Sequence, residues 1–222
     1  MKVRTQARRD AILETAAGLF QEMGYERASM NELAKRLGGS KATLYSYFSS
    51  KEGLFSAVVR AYATQHLTEA AEELTTFAQQ AQTLAQKLLG FGERMLSVLT
   101  SDNKAMSVYR MVVGAAGHSD IGTLFYESGP RESLEKLAVI MTDATARGEL
   151  RAGDPRLLAA QFLGLVTAEI TARTFQRYAE PLSPARVTEI THAAVDMFLS
   201  GAAARRDSSG MTRELSPTNS LL

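Results

Sequence analysis

The sequence predicts an all-α chain: a small N-terminal three-helix unit, then a larger helical bundle, about nine to ten helices in total. Three observations carry this. Apolar residues recur at helical spacing almost throughout, strand-like alternation is scarce, and the breaks between apolar stripes have helix-capping chemistry.

The elements follow in order. Ile12, Ala16, Leu19, Phe20 and Met23 form one helical stripe, which Gly24 ends. Ser29 and Glu32 spell a capping box, and Met30, Leu33, Ala34 and Leu37 make the apolar face of a short second helix. Gly38 and Gly39 stop it, and Ser40 is placed to cap a third helix from Lys41 to about Phe48. Ser49 with Glu52 reads as another capping box, opening a long helix over 50–74 with Leu54, Phe55, Val58, Val59 and Tyr62 inward. Further helices are expected over 82–100, 104–116, 120–128, 130–147, 155–178 and 184–203, with Ser183 as a cap and Pro184 at the first helical position. Residues 205–222 lack periodicity and read as a mobile tail. The organisation expected is a unit over 1–55, a linking helix over 50–74, a second domain over 75–204, and the tail.

Composition narrows the chemistry. With 222 residues, 45% of them apolar, the chain can build a real core. It has no cysteine, which excludes disulfides, thiolate metal sites and cysteine nucleophiles. No apolar run approaches the roughly 18 residues of a membrane span, and the N-terminus does not lead into a signal peptide's apolar stretch. A cytoplasmic protein with no membrane partner is expected. Residues 1–60 hold 10 Lys/Arg against 6 Asp/Glu, whereas 61–222 hold 15 against 18. A basic first segment suits a polyanionic partner.

Catalytic fingerprints are missing: there is no G-x-S-x-G, H-E-x-x-H, P-loop or dinucleotide motif, so no enzyme, cofactor or metal site is expected. Glu189 and His192 have the E-x-x-H spacing of di-iron bundles, but neither His66 nor His118 has a matching glutamate. A helical metal enzyme is the distant alternative.

The second and third helices are separated by only a few residues with glycine, the spacing of a helix-turn-helix whose second helix enters the DNA major groove. Leu44 and Phe48 can pack inward with Leu33 and Leu37, leaving Lys41, Thr43, Ser46 and Tyr47 directed at phosphates and base edges. Spacing alone suits an ordinary helical corner equally well.

The contiguous stretch ILETAAGLFQEMGYERASMNELAKRLGGSKATLYSYFSSKEGLFSAVV resembles the DNA-binding domain of the TetR family of bacterial transcriptional regulators. The likeness runs through Gly24-Tyr25, Ser29, Ala34–Gly38, Ser40-Lys41, Leu44-Tyr45, Tyr47-Phe48, Ser50–Glu52 and Leu54-Phe55. It implies sequence-directed binding to double-stranded DNA. Ser29 would offer its hydroxyl and nearby amides to a phosphate. Ser40, Lys41 and Thr43 would meet base edges at the start of the recognition helix, with Ala42 at a close approach. Tyr45, Ser46 and Tyr47 would reach phosphates through their hydroxyls, Tyr45 being also a partial core candidate, and Lys51 would anchor another phosphate. Two departures stand out. Gly39 replaces the family's usual β-branched residue, which implies a looser turn, and Tyr47 replaces a frequent histidine, which removes a pH-dependent charge.

The stretch TLFYESGPRESLEKLAVIMTDATARGELRAGDPRLLAAQFLGLV resembles the C-terminal domain of an AefR-like or efflux-repressor-like TetR subgroup. Phe77, Phe91, Met95, Leu99, Met106, Tyr109, Phe125, Tyr126, Phe162 and Val166 are candidate walls of an apolar cavity, or plain core residues. Arg110, Glu169 and Arg173 are candidates to orient a small, apolar or amphipathic inducer, though Glu169 and Arg173 also suit an exposed ion pair. The helices over 155–178 and 184–203 carry Leu158, Leu165, Val187, Ile190, Ala194, Met197 and Phe198, with small residues at Ala159, Ala160, Gly164 and Ala193. They suit a four-helix bundle between two copies, a homodimer reading a palindrome, or else closure of the chain's own core. The resemblance further implies a repressor whose fourth helix acts as a lever when ligand binds; a ligand-insensitive regulator or an activator of the same fold is the alternative.

Overall fold

A computed structural model describes residues 5–64, 82–101, 103–176 and 179–204. Phe77, His66 and the far end of the expected lever helix lie outside these residues, as does the expected tail. Among the described residues there are eleven α-helices, slightly more than expected: α1 Gln6–Arg27, α2 Met30–Arg36, α3 Lys41–Tyr47, α4 Lys51–Val59, α5 Leu84–Ser101, α6 Asn103–Ala115, α7 Ile121–Glu127, α8 Pro130–Ala146, α9 Pro155–Val166, α10 Ala168–Thr174 and α11 Pro184–Ala202. The added element comes from the helix expected over 155–178, which breaks at Thr167: this residue caps α9 with φ −91°, ψ 5°, and its hydroxyl turns back to the Leu163 carbonyl.

The helix ends carry the capping chemistry that starts them. Ser29, Ser40 and Ser183 accept from the amides of Glu32, Thr43 and Arg186, and Pro184 opens α11. The cap of α4 is Ser50, accepting from Gly53, where the S-x-x-E spacing pointed to Ser49. Glu52 instead accepts from the Tyr25 hydroxyl at 3.4 Å. Gly24 leaves the helical region at φ 75°, so α1 breaks there and finishes in a short turn closed by the Ala28 amide on the Gly24 carbonyl.

Two apolar clusters hold the molecule. The first joins α1–α4 around Phe20, Tyr25 and Phe55, whose ring centroids lie 5.0–5.8 Å apart. Leu33, Leu44 and Phe48 are buried there, so the inner faces of α2 and α3 read from the sequence are present. The second joins α5, α8, α9 and α11 around Phe91, Phe162 and Phe198. Gly92 lets α5 approach α11 closely; a β-carbon there would stand 2.7 Å from the buried Thr191 methyl. A lone antiparallel bridge between Leu150 and Ala203 ties the end of α11 to the α8–α9 turn.

Helix α6 belongs to both clusters. Ala105, Val108 and Val112 are buried in the first, and Met106 is buried in the second. The long α-helix expected after residue 50 changes character: α4 runs into a π-helical segment, Arg60–Thr64. That segment is anchored where Thr64, fully buried, donates to the Ser128 carbonyl at 2.8 Å. Gly129 makes the room, since a β-carbon there would meet Thr64 Cβ at 2.5 Å. The first cluster is thereby tied to the α7–α8 junction. Among the described residues no helix is long and apolar enough to cross a membrane.

Candidate nucleic-acid interface and ligand cavity

Helices α2 and α3 meet through a turn of defined geometry. The Gly39 amide donates to the Ala34 carbonyl and the Gly38 amide to that of Lys35, both at 3.1 Å, with Gly38 at φ 60°. This is a Schellman closure, which needs a residue tolerant of the left-handed region at position 38. The looser turn expected from Gly39 is not found. Arg8, reaching across from α1, donates through Nη2 to the Leu37 carbonyl at 3.3 Å and occupies the space beside Gly39.

On the outer side of α3 the polar residues share one face. Lys41, Ala42, Tyr45 and Ser46 are exposed, and Tyr45 at 46% exposure is no core residue. A concavity of about 950 Å³ is lined here by Thr5, Arg8, the Gly38–Gly39 turn, Ala42, Ser46 and Tyr47, among others. Thr43 Oγ1 lies 2.9 Å from Ser40 Oγ, and Ser46 donates to the Thr43 carbonyl. The Tyr47 hydroxyl oxygen accepts from the Thr5 amide at 3.1 Å, which ties down the start of α1 and leaves the phenolic proton free to donate. Ser29 is exposed at the start of α2. The structure thus gathers Ser40, Ala42, Thr43, Ser46 and Tyr47 around one concavity, with Lys41 and Tyr45 exposed on the same short helix.

Lys51, expected as a phosphate anchor, is held within the fold in the absence of DNA. Its ammonium donates to the carbonyls of Tyr25, Glu26 and Ala28 at 3.0, 3.3 and 3.3 Å and stands 4.2 Å from the Tyr25 ring centroid. All three of its protons are engaged within the fold. The carbonyls at the end of α1 have no helical partners of their own, and the lysine meets that need. Tyr25, packed beneath, has its phenol pushed up to about 12, chiefly by burial and then by the charge of Glu52. Arg9, over the Phe48 ring at 5.3 Å, and Arg8 are basic residues of this region that sequence reasoning passed over; their nearness to α3 depends on how α1 folds back.

Away from this surface, a cavity of about 290 Å³ lies between α5, α6 and α10. Leu99, Met106 and Tyr109 line it together with Val113, Thr167, Ile170, Thr171, Thr174 and Phe175. The other candidates lie elsewhere. Phe91, Met95, Phe162 and Val166 are buried in the second cluster and are core residues. Phe125 packs on the first cluster, edge-on to Tyr109, and Tyr126 is exposed without lining the cavity. Arg110 is not among the lining residues, and Glu169 pairs with Arg186 rather than Arg173, which donates to the Glu180 carbonyl. The threonines give no cavity signal in the sequence, because their spacing resembles a solvated helical face.

The residues proposed for a subunit junction divide in two. Leu158, Val187, Ile190, Ala194 and Phe198 are buried in the chain's own second cluster, so these belong to its interior. The outward faces of α9 and α11 instead present Leu157 and Met197 at 54% and 65% exposure, with the small Ala160, Gly164, Ala193 and Gly201 exposed between them. Leu165, partly buried, sits with Met197 and the edge of Phe198 in a shallow groove. Among the described residues no cluster of potential metal ligands occurs, and His192 is exposed.

This architecture recurs in known proteins. Residues 12–58 match the bacterial regulatory proteins of the tetR family, and residues 86–201 match the AefR-like transcriptional repressor C-terminal domain. The HTH-type transcriptional repressor ComR of Escherichia coli is 46% identical over 54 residues, a match that covers 24% of this chain and 26% of ComR. Over nearly the whole chain, a TetR-family transcriptional regulator from Mesorhizobium loti superposes with a TM-score of 0.70 and 28% identity, covering 90% of this chain and all of that one. The flavonoid-responsive regulator FrrA does so with a TM-score of 0.66 and 28% identity, covering 91% of this chain and all of FrrA. With both of its parts matched, one to the helix-turn-helix family and one to a regulatory domain, the chain belongs to the TetR family of transcriptional regulators and carries an AefR-like C-terminal domain.

Proposed function

We propose that this regulator is a cytoplasmic repressor, that it binds a palindromic operator as a homodimer through α3, and that a small, largely apolar inducer releases it. The observation that carries the reading is the sharing of α6. One face of this helix is core to the DNA-binding unit through Ala105, Val108 and Val112; another lines the cavity through Met106, Tyr109 and Val113. A molecule that prefers a rearranged cavity therefore acts on a helix that the DNA-binding core itself contains. Release follows from the difference in the ligand's affinity for the two arrangements.

Repression is supported by the match to the AefR-like transcriptional repressor C-terminal domain. A small-molecule response is supported by the cavity and by FrrA, which is flavonoid-responsive. Dimerisation is supported by the exposed small-residue faces of α9 and α11. It also answers a physical need, because one seven-residue recognition helix reads few base pairs. Two of them held roughly 34–36 Å apart read successive major grooves on one side of the duplex.

Within each half-site, Ser40, Lys41 and Thr43 read base edges, Ala42 allows close approach, and Tyr45, Ser46, Tyr47 and Ser29 hold phosphates. Selection of bound sequences from a random duplex library tests the reading. A recovered inverted repeat with half-sites about one turn apart is expected; binding with no sequence preference at physiological salt would overturn it.

A further inference from the structure

Among the described residues, those lining the cavity between α5, α6 and α10 carry no formal charge. Two charged residues of α10, Glu169 and Arg173, are committed elsewhere, the first to Arg186 and the second to the Glu180 carbonyl. Among the described lining residues no charged side chain stands ready to pair with a carboxylate, phosphate or ammonium, and the apolar walls favour a neutral body.

The polar atoms of the cavity also have a definite sense. Thr167 donates its hydroxyl proton to the Leu163 carbonyl at 2.8 Å, Thr174 to that of Ile170 at 3.1 Å, and Thr171 to that of Thr167 at 3.5 Å. A hydroxyl whose proton is spent on the backbone keeps its lone pairs and becomes an acceptor. Thr174 Oγ1 lies 3.9 Å from the sulfur of Met106, another lining residue, so this oxygen faces across the cavity. Among the described lining residues, donor capacity remains at Tyr109.

We infer that the cavity takes a compact, neutral, mainly apolar molecule bearing a hydrogen-bond donor such as a hydroxyl, with that donor on the threonine row of α10. This deepens the reading of the cavity as the inducer site and rests on it. The volume of about 290 Å³ falls just below the roughly 300–1,000 Å³ usual for small-molecule sites, which suits a body of one or two rings.

The test uses the full-length protein without DNA and three probes of one skeleton: 2-naphthol, naphthalene and 2-naphthoate. Fluorescence titration should show 2-naphthol binding about fivefold more tightly than naphthalene, the worth of one neutral hydrogen bond, and at least about tenfold more tightly than the carboxylate. Thr174→Val should erase the preference for 2-naphthol over naphthalene, and Thr174→Ser should keep it. Equal or tighter binding of 2-naphthoate, a preference that survives Thr174→Val, or no saturable binding by any probe overturns the inference. Should the valine variant fail to fold, the ranking of the three probes on the unaltered protein decides. None of these outcomes touches the operator selection, so the regulator reading stands or falls separately.

Discussion

Arg8 and Gly39 meet across the turn of the helix-turn-helix: a β-carbon at position 39 would stand 3.1 Å from Nη2 of Arg8. The same nitrogen donates to the Leu37 carbonyl, so the missing side chain leaves room for a cation at the C-terminal end of α2, where the helix dipole favours it. Arg8→Ala should cost about 1 kcal/mol in urea unfolding and weaken operator binding, since α3 loses a clamp on its approach. Gly39→Val should destabilise the protein in the presence of Arg8 and markedly less in the Arg8→Ala background. Strictly additive effects in this double-mutant cycle would show that the two positions are not coupled.

Two lysines ten residues apart are assigned opposite duties. Lys41 is exposed at the first position of α3, while Lys51 is bound to three carbonyls and a ring. Lys41→Ala should lower operator affinity with little change in unfolding free energy. If it reaches a phosphate, the slope of log affinity against log salt should fall by about one; if it reaches a base, that slope should hold and specificity at one position relax. Lys51→Met should instead destabilise the fold by about 1–3 kcal/mol, because carbonyls at the end of α1 lose their donor. Its effect on the salt slope should be nil; a drop of about one would place its ammonium on the duplex after all.

These duties mark the boundary of what the sequence makes legible. Ser29, Ser40, Ser183 and Pro184 act within a few residues of themselves, so their capping roles can be read from local pattern, as can the inward faces of Leu33, Leu44 and Phe48. The fate of Lys51 depends on the end of α1, more than twenty residues earlier in the chain, and no local spacing encodes that approach. The same holds for the cavity. Phe91, Met95 and Phe162 resemble cavity walls by type, yet they interdigitate with α8, α9 and α11; the walls are built partly by threonines whose polar character pointed outward. The break at Thr167 is equally silent, since neither glycine nor proline marks it.

Tyr25 sets a limit on alkaline stability. Its phenol is raised from 10.0 to about 12, first by burial and then by Glu52, so the folded state disfavours the phenolate. A raised acid of this kind contributes stability fully below pH 10, and that contribution is lost as the pH climbs from about 10 to about 12. Absorbance at 295 nm during alkaline titration of the folded protein should show a late-ionising tyrosine. Tyr25→Phe should remove that late component while leaving the rest of the curve; its persistence would assign the component to another tyrosine, Tyr62 being raised by burial as well.

The exposed faces of α9 and α11 separate fold from assembly. Phe198 is buried within the subunit, so Phe198→Ala should cost about 3–5 kcal/mol whatever the oligomeric state. Met197, one residue earlier on the same helix, is 65% exposed, and Gly164 is exposed on α9 opposite it in the same groove. Met197→Asp or Gly164→Arg should leave far-UV circular dichroism intact, because neither touches the subunit's interior. Each places a charge where two copies would bury a close-packed surface, and a buried unpaired charge is costly. Sedimentation should show a shift from dimer to monomer, with operator affinity falling at least about a hundredfold as the second recognition helix is lost, consistent with the several-kcal/mol penalty of such a charge. If both variants sediment as dimers and bind the operator unchanged, the subunit junction lies on another face.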